Sequence, residues 1–502
     1  MYPEKSHPAA LLPVSAPPPQ TARKRSSVVV WTALACLALV HFSGGLQAAL
    51  TLPRRATLSP DSFFWTLNDA SSLCPGVHNN VSYSGYIGLR GDSDETPRRS
   101  FYWLFEAQQH PETAPLILTI GGGPGSSGLL NPLFALSHCK VAQGAMVPNP
   151  TGWSEHANIL ALDHPIGVGF SYGSHVNNSR DAAHDVYDFL QKFFVLYPHF
   201  ARNKFIISSG SYGGTYVPNI ASVIHQHNKE LAHGRGPAGA RHINLESLML
   251  SNPLSDARSW FSWHLQNVCH NAIRNAYNET QCEEYYQLLP GCLETVQFAY
   301  EHSTPENRLA AFEECAIIIS GDMHGLTSDN IRHTCESRDP LDCNPEFGWA
   351  VDILNDNTTK ATLGVPTDLK YESVSVTVNG EFISTGDHIH ETFRLYEPLL
   401  ADEIRVLHYI GKLDAIVSWQ STLSFLRLID SPFAEEFRKA QDVPWPSADV
   451  ATVRAIGPGA GNFTLVLVAE AGHFVAKDQP ELSKSILEHW LKNEPFDGPS
   501  SV

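Results

Sequence analysis

Short apolar runs separated by small, turn-forming residues dominate the chain beyond residue 80, and several alternate with segments of helical period. Residues 82–87 and 101–105 read as antiparallel strands around a Gly-Asp turn. Residues 115–120 and 157–163 are apolar almost throughout, the pattern of strands covered on both faces. A helix is expected from near Ser179, with Val186, Phe189, Leu190, Phe193 and Phe194 recurring at three and four and Pro198 just past its end. An apolar run then ends in the small residues 208–214, and Val217, Ile220, Val223 and Ile224 follow at helical spacing. That is strand, sharp turn, helix. Further strands are expected at 245–250, stopped by Asn252-Pro253, at 405–411 and at 463–468. Pro480 opens a closing helix with Leu482, Ile486, Leu487, Trp490 and Leu491 on its inner side. Strand and helix alternating in this order predict a doubly wound α/β sheet.

The pattern breaks between about 255 and 365, where strand signals are weak. This stretch reads as a helical cap inserted over the sheet. It divides the core into a first part, 50–254, and a second part, 366–495, with a short tail at 496–502. The first fifty residues differ again. Residues 1–26 are rich in proline and small residues and end in Arg23-Lys24-Arg25, and we expect a disordered cytosolic tail. The apolar run within 27–49 fits a signal peptide or a signal anchor, which would send the remainder across the membrane.

Charge and cysteines sharpen this picture. A formal net charge of −18 excludes a nucleic-acid-binding surface. Of nine cysteines, eight lie beyond the apolar run, and six of those eight fall in the cap. An even number in a translocated chain predicts disulfides, whose pairing the sequence leaves open. None has tight metal-ligand spacing, so no metal site is expected. Asn80, Asn177, Asn278, Asn357 and Asn462 stand in Asn-x-Ser/Thr triplets, candidate glycosylation sites in an exported chain.

The candidate chemistry is acyl transfer. Ser211 sits in the strand–turn–helix segment Ser209-Gly210-Ser211-Tyr212-Gly213, where small neighbours allow the strained turn that exposes a nucleophilic hydroxyl. In an α/β hydrolase the acid and then the histidine follow on loops after later strands. Asp414 stands just past the strand at 405–411, and His473 just past the strand at 463–468. We therefore expect a Ser211–His473–Asp414 triad. The loop Gly121-Gly122-Gly123-Pro124-Gly125 lets backbone N–H groups approach a substrate, and the oxyanion donors are assigned to the Gly123 and Tyr212 amides.

These residues together resemble the serine carboxypeptidase family, peptidases related to carboxypeptidase Y. The matches are Gly122-Gly123-Pro124-Gly125, Trp153 with Ala157-Asn158, the run from Asp163 to Tyr172, Ser211-Tyr212-Gly213-Gly214 with Tyr216-Val217-Pro218, Gly411 with Asp414, and Gly472-His473 with Asp478-Gln479-Pro480. The resemblance implies an α/β-hydrolase sheet with a helical, disulfide-tied cap insertion, a lumenal or extracellular setting and no cofactor. It carries the triad and oxyanion roles onto the same positions.

The departures from the family are equally specific. The Trp, Asn and two Glu side chains that grip the substrate's terminal carboxylate in the family correspond here to Thr119, Gly121, Gly210 and Ala135. A charge-assisted hydrogen bond contributes on the order of 1.5–3 kcal/mol, so losing two or three would cost roughly a hundredfold or more in discrimination. Replacement donors from the cap could restore it. Three functions follow: a carboxypeptidase releasing C-terminal residues from peptides, an esterase or acyltransferase on the same scaffold taking ester substrates, and a catalytically silent binding glycoprotein. Retention of all three triad members argues against the third.

Overall fold

The computed structural model describes residues 58–237, 239–335, 337 and 343–497. The expectations for residues 1–57 and for the tail beyond 497 lie outside the described residues. A twelve-stranded mixed sheet organises the rest. Its nine main strands are β1 (Ser82–Gly88), β2 (Arg98–Phe105), β3 (Leu116–Ile120), β4 (Asn158–Leu162), β5 (Phe205–Ser211), β6 (Leu245–Pro253), β7 (Arg405–Gly411), β8 (Ala451–Ile456) and β9 (Phe463–Val468). Their order is β1-β2-β4-β3-β5-β6-β7-β9-β8. The pairs from β4 through β3, β5, β6 and β7 to β9 are parallel, whereas β1, β2 and β8 join antiparallel at the flanks.

The strand pleat sorts side chains onto two faces. Ile207, Leu248, Val406 and Leu465 point into one apolar layer beneath α1 (Ser179–Leu196) and α2 (Gly213–Ala232). Their neighbours Ile206, Met249, Leu407 and Val466 point into the other, which the helix Pro480–Lys492 closes with Leu487 and Trp490. Burial on both faces is why these strands read as unbroken apolar runs.

Helix ends follow local chemistry. Asn178 caps α1 by accepting from the Asp181 amide at 2.9 Å. Pro218 lies inside α2 and cannot donate to the Gly214 carbonyl; the Ser255 hydroxyl donates to it instead, at 2.8 Å.

Helices fill most of the stretch between β6 and β7, the first three being α3 (Ala257–Cys269), α4 (Glu279–Glu301) and α5 (Pro305–Ile319). Disulfides join Cys269–Cys282, Cys292–Cys315 and Cys335–Cys343 here, and Cys74–Cys139 ties the N-terminal strands to the loop before β4. All eight cysteines expected to be oxidised are paired. No helix among the described residues is long and apolar enough to cross a membrane.

Candidate active site

Three loops at the carboxyl ends of β3, β5 and β9 converge on one cavity of about 310 Å³. Such strand ends are where open α/β sheets bind ligands. Ser211 ends β5 with φ of +57°, a left-handed conformation that a side-chain-bearing residue adopts only at a strain cost. The turn tolerates this because its neighbours are small. A Cβ on Gly213 would lie 2.0 Å from the Ser209 hydroxyl, and one on Gly214 would lie 2.5 Å from the Leu254 amide. The Leu254 N–H also accepts no rearrangement freely, since it donates to the Ser211 carbonyl at 2.8 Å.

The glycine loop packs directly on this turn. A Cβ on Gly122 would stand 2.8 Å from the Ser211 Cβ and 3.1 Å from the Tyr212 nitrogen. Gly123 adopts φ of +104°, and among the described residues neither its N–H nor that of Tyr212 has an acceptor. The loop is anchored from below: Ser127 donates to buried Asp163 at 2.5 Å, and the Phe170 amide donates to the same carboxylate at 2.8 Å. Burial pushes Asp163 up to about 7 despite those donors. The Tyr212 side chain turns away from the cavity, its hydroxyl donating to Asp387 at 2.6 Å.

His473 lines the cavity with Ser211, and its Nδ1 lies 2.6 Å from Oδ2 of fully buried Asp414. The Ile416 and Val417 amides donate to Oδ1 of Asp414 at 2.7 and 3.1 Å. Burial raises the Asp414 carboxyl, but three N–H donors on its two oxygens favour the ionised form. Burial would by itself lower His473; the Asp414 charge and hydrogen bond, with Asp329 and Asp478 nearby, carry it above the usual imidazole value.

The acid and histidine loops touch backbone to backbone. A Cβ on Gly411 would lie 2.0 Å from the Gly472 carbonyl oxygen, and one on Gly472 would lie 2.1 Å from that of Asp329. Asn252 stitches the same corner, accepting from the Gly411 amide at 2.9 Å and donating to the Gly411 and Val417 carbonyls. Asn267 donates to the Asp414 carbonyl at 2.8 Å, and the His473 amide to that of Asp329 at 2.7 Å.

Thr119, Gly121, Ala135 and Gly210 all line the cavity, as does Gly123. Neighbouring groups crowd two of those positions. A Cβ on Gly121 would lie 2.0 Å from the Ser126 carbonyl oxygen, and one on Gly210 would lie 2.5 Å from the Ser251 hydroxyl and 2.9 Å from its carbonyl. Asp329, Asn252 and Lys477 went unrecognised in the sequence; Asn252 was legible only as half of a turn signal, and the other two carry no local motif. Among the candidate glycosylation positions Asn177, Asn278 and Asn357 are exposed, whereas Asn80 donates to the Ser71 and Cys74 carbonyls, both at 2.5 Å. Asn462 is half-buried beside β9.

The mixed sheet with a parallel centre, helices on both faces and a serine at a strand-to-helix turn defines an α/β hydrolase. A family model described as serine carboxypeptidase matches residues 75–493. Carboxypeptidase Y homolog A of Pyricularia oryzae is 31% identical over 435 residues, covering 85% of this chain and 75% of that protein. The homolog of the same name from Neurospora crassa is 32% identical over 436 residues, covering 86% and 75%. Among solved structures, Kex1(delta)p, a prohormone-processing carboxypeptidase from Saccharomyces cerevisiae, superposes with a TM-score of 0.71 at 20% identity, over 85% of this chain and 94% of that one. The chain belongs to the serine carboxypeptidase family.

Proposed function

We propose that the protein is a serine-type carboxypeptidase that releases C-terminal residues from peptides through an acyl-enzyme. The observation that carries this reading is the 2.6 Å pairing of His473 with Asp414 on the wall of the cavity that Ser211 lines. Ser211 Oγ attacks the scissile carbonyl carbon as His473 Nε2 takes its proton, and Asp414 stabilises the imidazolium. The Gly123 and Tyr212 N–H groups receive the oxyanion. Collapse breaks the C–N bond, and the departing amine takes the proton from His473. Water, deprotonated by His473, then attacks the ester and restores Ser211.

A second reading, an esterase or acyltransferase, is favoured by the close contacts at Gly121, with the Ser126 carbonyl, and at Gly210, with the Ser251 hydroxyl and carbonyl, which leave no room for carboxylate-gripping side chains there. The chain's export signals and exposed Asn-x-Ser/Thr sites support a secretory-pathway protein with its catalytic domain lumenal or extracellular.

A fluorophosphonate probe followed by peptide mapping tests the catalytic assignment. Labelling is expected at Ser211 and lost in His473→Ala; equal labelling of that variant would remove the assignment. Blocked dipeptides ending in free acid, amide or ester separate the two readings: faster turnover of the acid than of the amide supports the carboxypeptidase, and turnover of esters alone supports the second reading.

A further inference from the structure

Part of the cavity wall is aromatic. Phe134 and Phe347 meet edge to face with centroids 4.9 Å apart, and Phe474 packs against Phe347 at 5.8 Å. Three phenyl rings offer an anion no hydrogen bond. The neutral donors nearby are largely committed. Asn131 donates to Thr119 Oγ1 at 2.8 Å and to the Ile120 carbonyl at 2.9 Å, and Ser209 donates to that same carbonyl at 2.8 Å.

Lys477 is the one lysine or arginine side chain among the described residues that line the cavity. It sits on the short helix Val475–Asp478, four residues past His473, and that helix packs on the turn Pro132–Leu136 carrying Ala135. Its ammonium donates to Asn344 Oδ1 at 2.9 Å and to Glu346 Oε2 at 3.2 Å. An ammonium has three N–H donors, and the third has no acceptor among the described residues. Asn344 is itself fixed by donating to Asp329, whose carbonyl accepts the His473 amide at 2.7 Å. Lys477 is thus mounted on the same frame as the catalytic imidazole.

We propose that Lys477 recognises the α-carboxylate of the residue to be released. This rests on the carboxypeptidase reading and supplies what Thr119, Gly121, Ala135 and Gly210 do not: a charged donor on the wall of the same cavity. The mode of recognition differs in kind from the family's shared-proton grip. A carboxyl–carboxylate hydrogen bond needs a proton and fades as pH rises, whereas an ammonium–carboxylate contact needs none between pH 5 and 8.

The test is the ratio of kcat/KM for a blocked dipeptide acid to that for its amide, in which the protonation of His473 cancels. We expect the ratio to stay within about threefold from pH 5 to 8, to fall roughly tenfold or more in Lys477→Met, and to be kept in Lys477→Arg. Glu346→Gln, which removes the competing anion, should raise it. A Lys477→Met ratio within about twofold of wild type, or a wild-type ratio that collapses towards pH 8, overturns the proposal while leaving the carboxypeptidase reading in place. Should Lys477→Met fail to fold, the wild-type pH series and Glu346→Gln decide. Loss of all acid and amide turnover in a wild-type protein that still labels at Ser211 would instead sink the carboxypeptidase reading itself.

Discussion

The catalytic rim and the wall facing it are built by different means. Ser211, Asp414 and His473 each stand one to five residues past the carboxyl end of a parallel strand or on its last residue, so sheet geometry delivers them together. The wall draws Ala135, Phe347 and Lys477 from segments more than a hundred residues apart, none on a main strand. Sheet-borne positions are hard to displace without unfolding the core, whereas wall positions can change one side chain at a time. The replaced carboxylate contacts straddle this divide: Ala135 stands on the wall, whereas Thr119 and Gly210 lie on β3 and β5 and Gly121 just past β3, so there a side chain changed while the backbone that carries the proposed triad stayed in place.

The largest expected effect strikes the rim. Gly122→Ala puts a methyl 2.8 Å from the Ser211 Cβ and should cut kcat/KM by at least about a hundredfold, read by steady-state kinetics and probe labelling. Near-normal turnover would mean the glycine loop can retreat, and the rim would be no stiffer than the wall.

Attempting to rebuild the family's grip should be costly and fruitless. Gly121→Asn forces the Ser126 carbonyl away from a contact of 2.0 Å and should destabilise the fold by about 2 kcal/mol or more in a denaturant melt. Its acid-over-amide ratio should not rise. A stable variant with a raised ratio would show that the glycine loop can yield at that position and that the rim is less rigid than the contrast requires.

The smallest effect concerns pH. In the proposed mechanism neutral His473 is the base, so kcat/KM should rise as it loses its proton, and its upward displacement moves that rise to higher pH. Asp329 contributes to the displacement from the wall side, and Asp329→Asn should shift the acid limb of the profile to lower pH. An unmoved limb would mean that the histidine answers to Asp414 alone.

Much of the rim was legible in the sequence because its signals are local. β7 and β9 begin and end where the apolar runs at 405–411 and 463–468 do, and α1 opens at Ser179 behind a capping Asn178. The residue at position 209 departs from the usual glycine, yet Ser209 fits because its hydroxyl turns inward to the Ile120 carbonyl. Strand β8, whose apolar run is interrupted by Thr452 and Arg454, and the partly exposed hairpin of Cys139–Ala142 with Ala145–Pro148 passed unnoticed for want of an unbroken apolar run. Lys477 and Asp329 could not be read at all: each acquires its place only through partners such as Asn344, and no spacing rule links 329, 344 and 477.

The close passage of Gly411 against Gly472, and of Gly472 against Asp329, bears on any attempt to transplant this chemistry. With no room for even a methyl group between them, the segments 328–331, 411–417 and 471–474 form one indivisible module. A graft that moved the histidine loop to another scaffold without the other two would arrive with its imidazole unsupported.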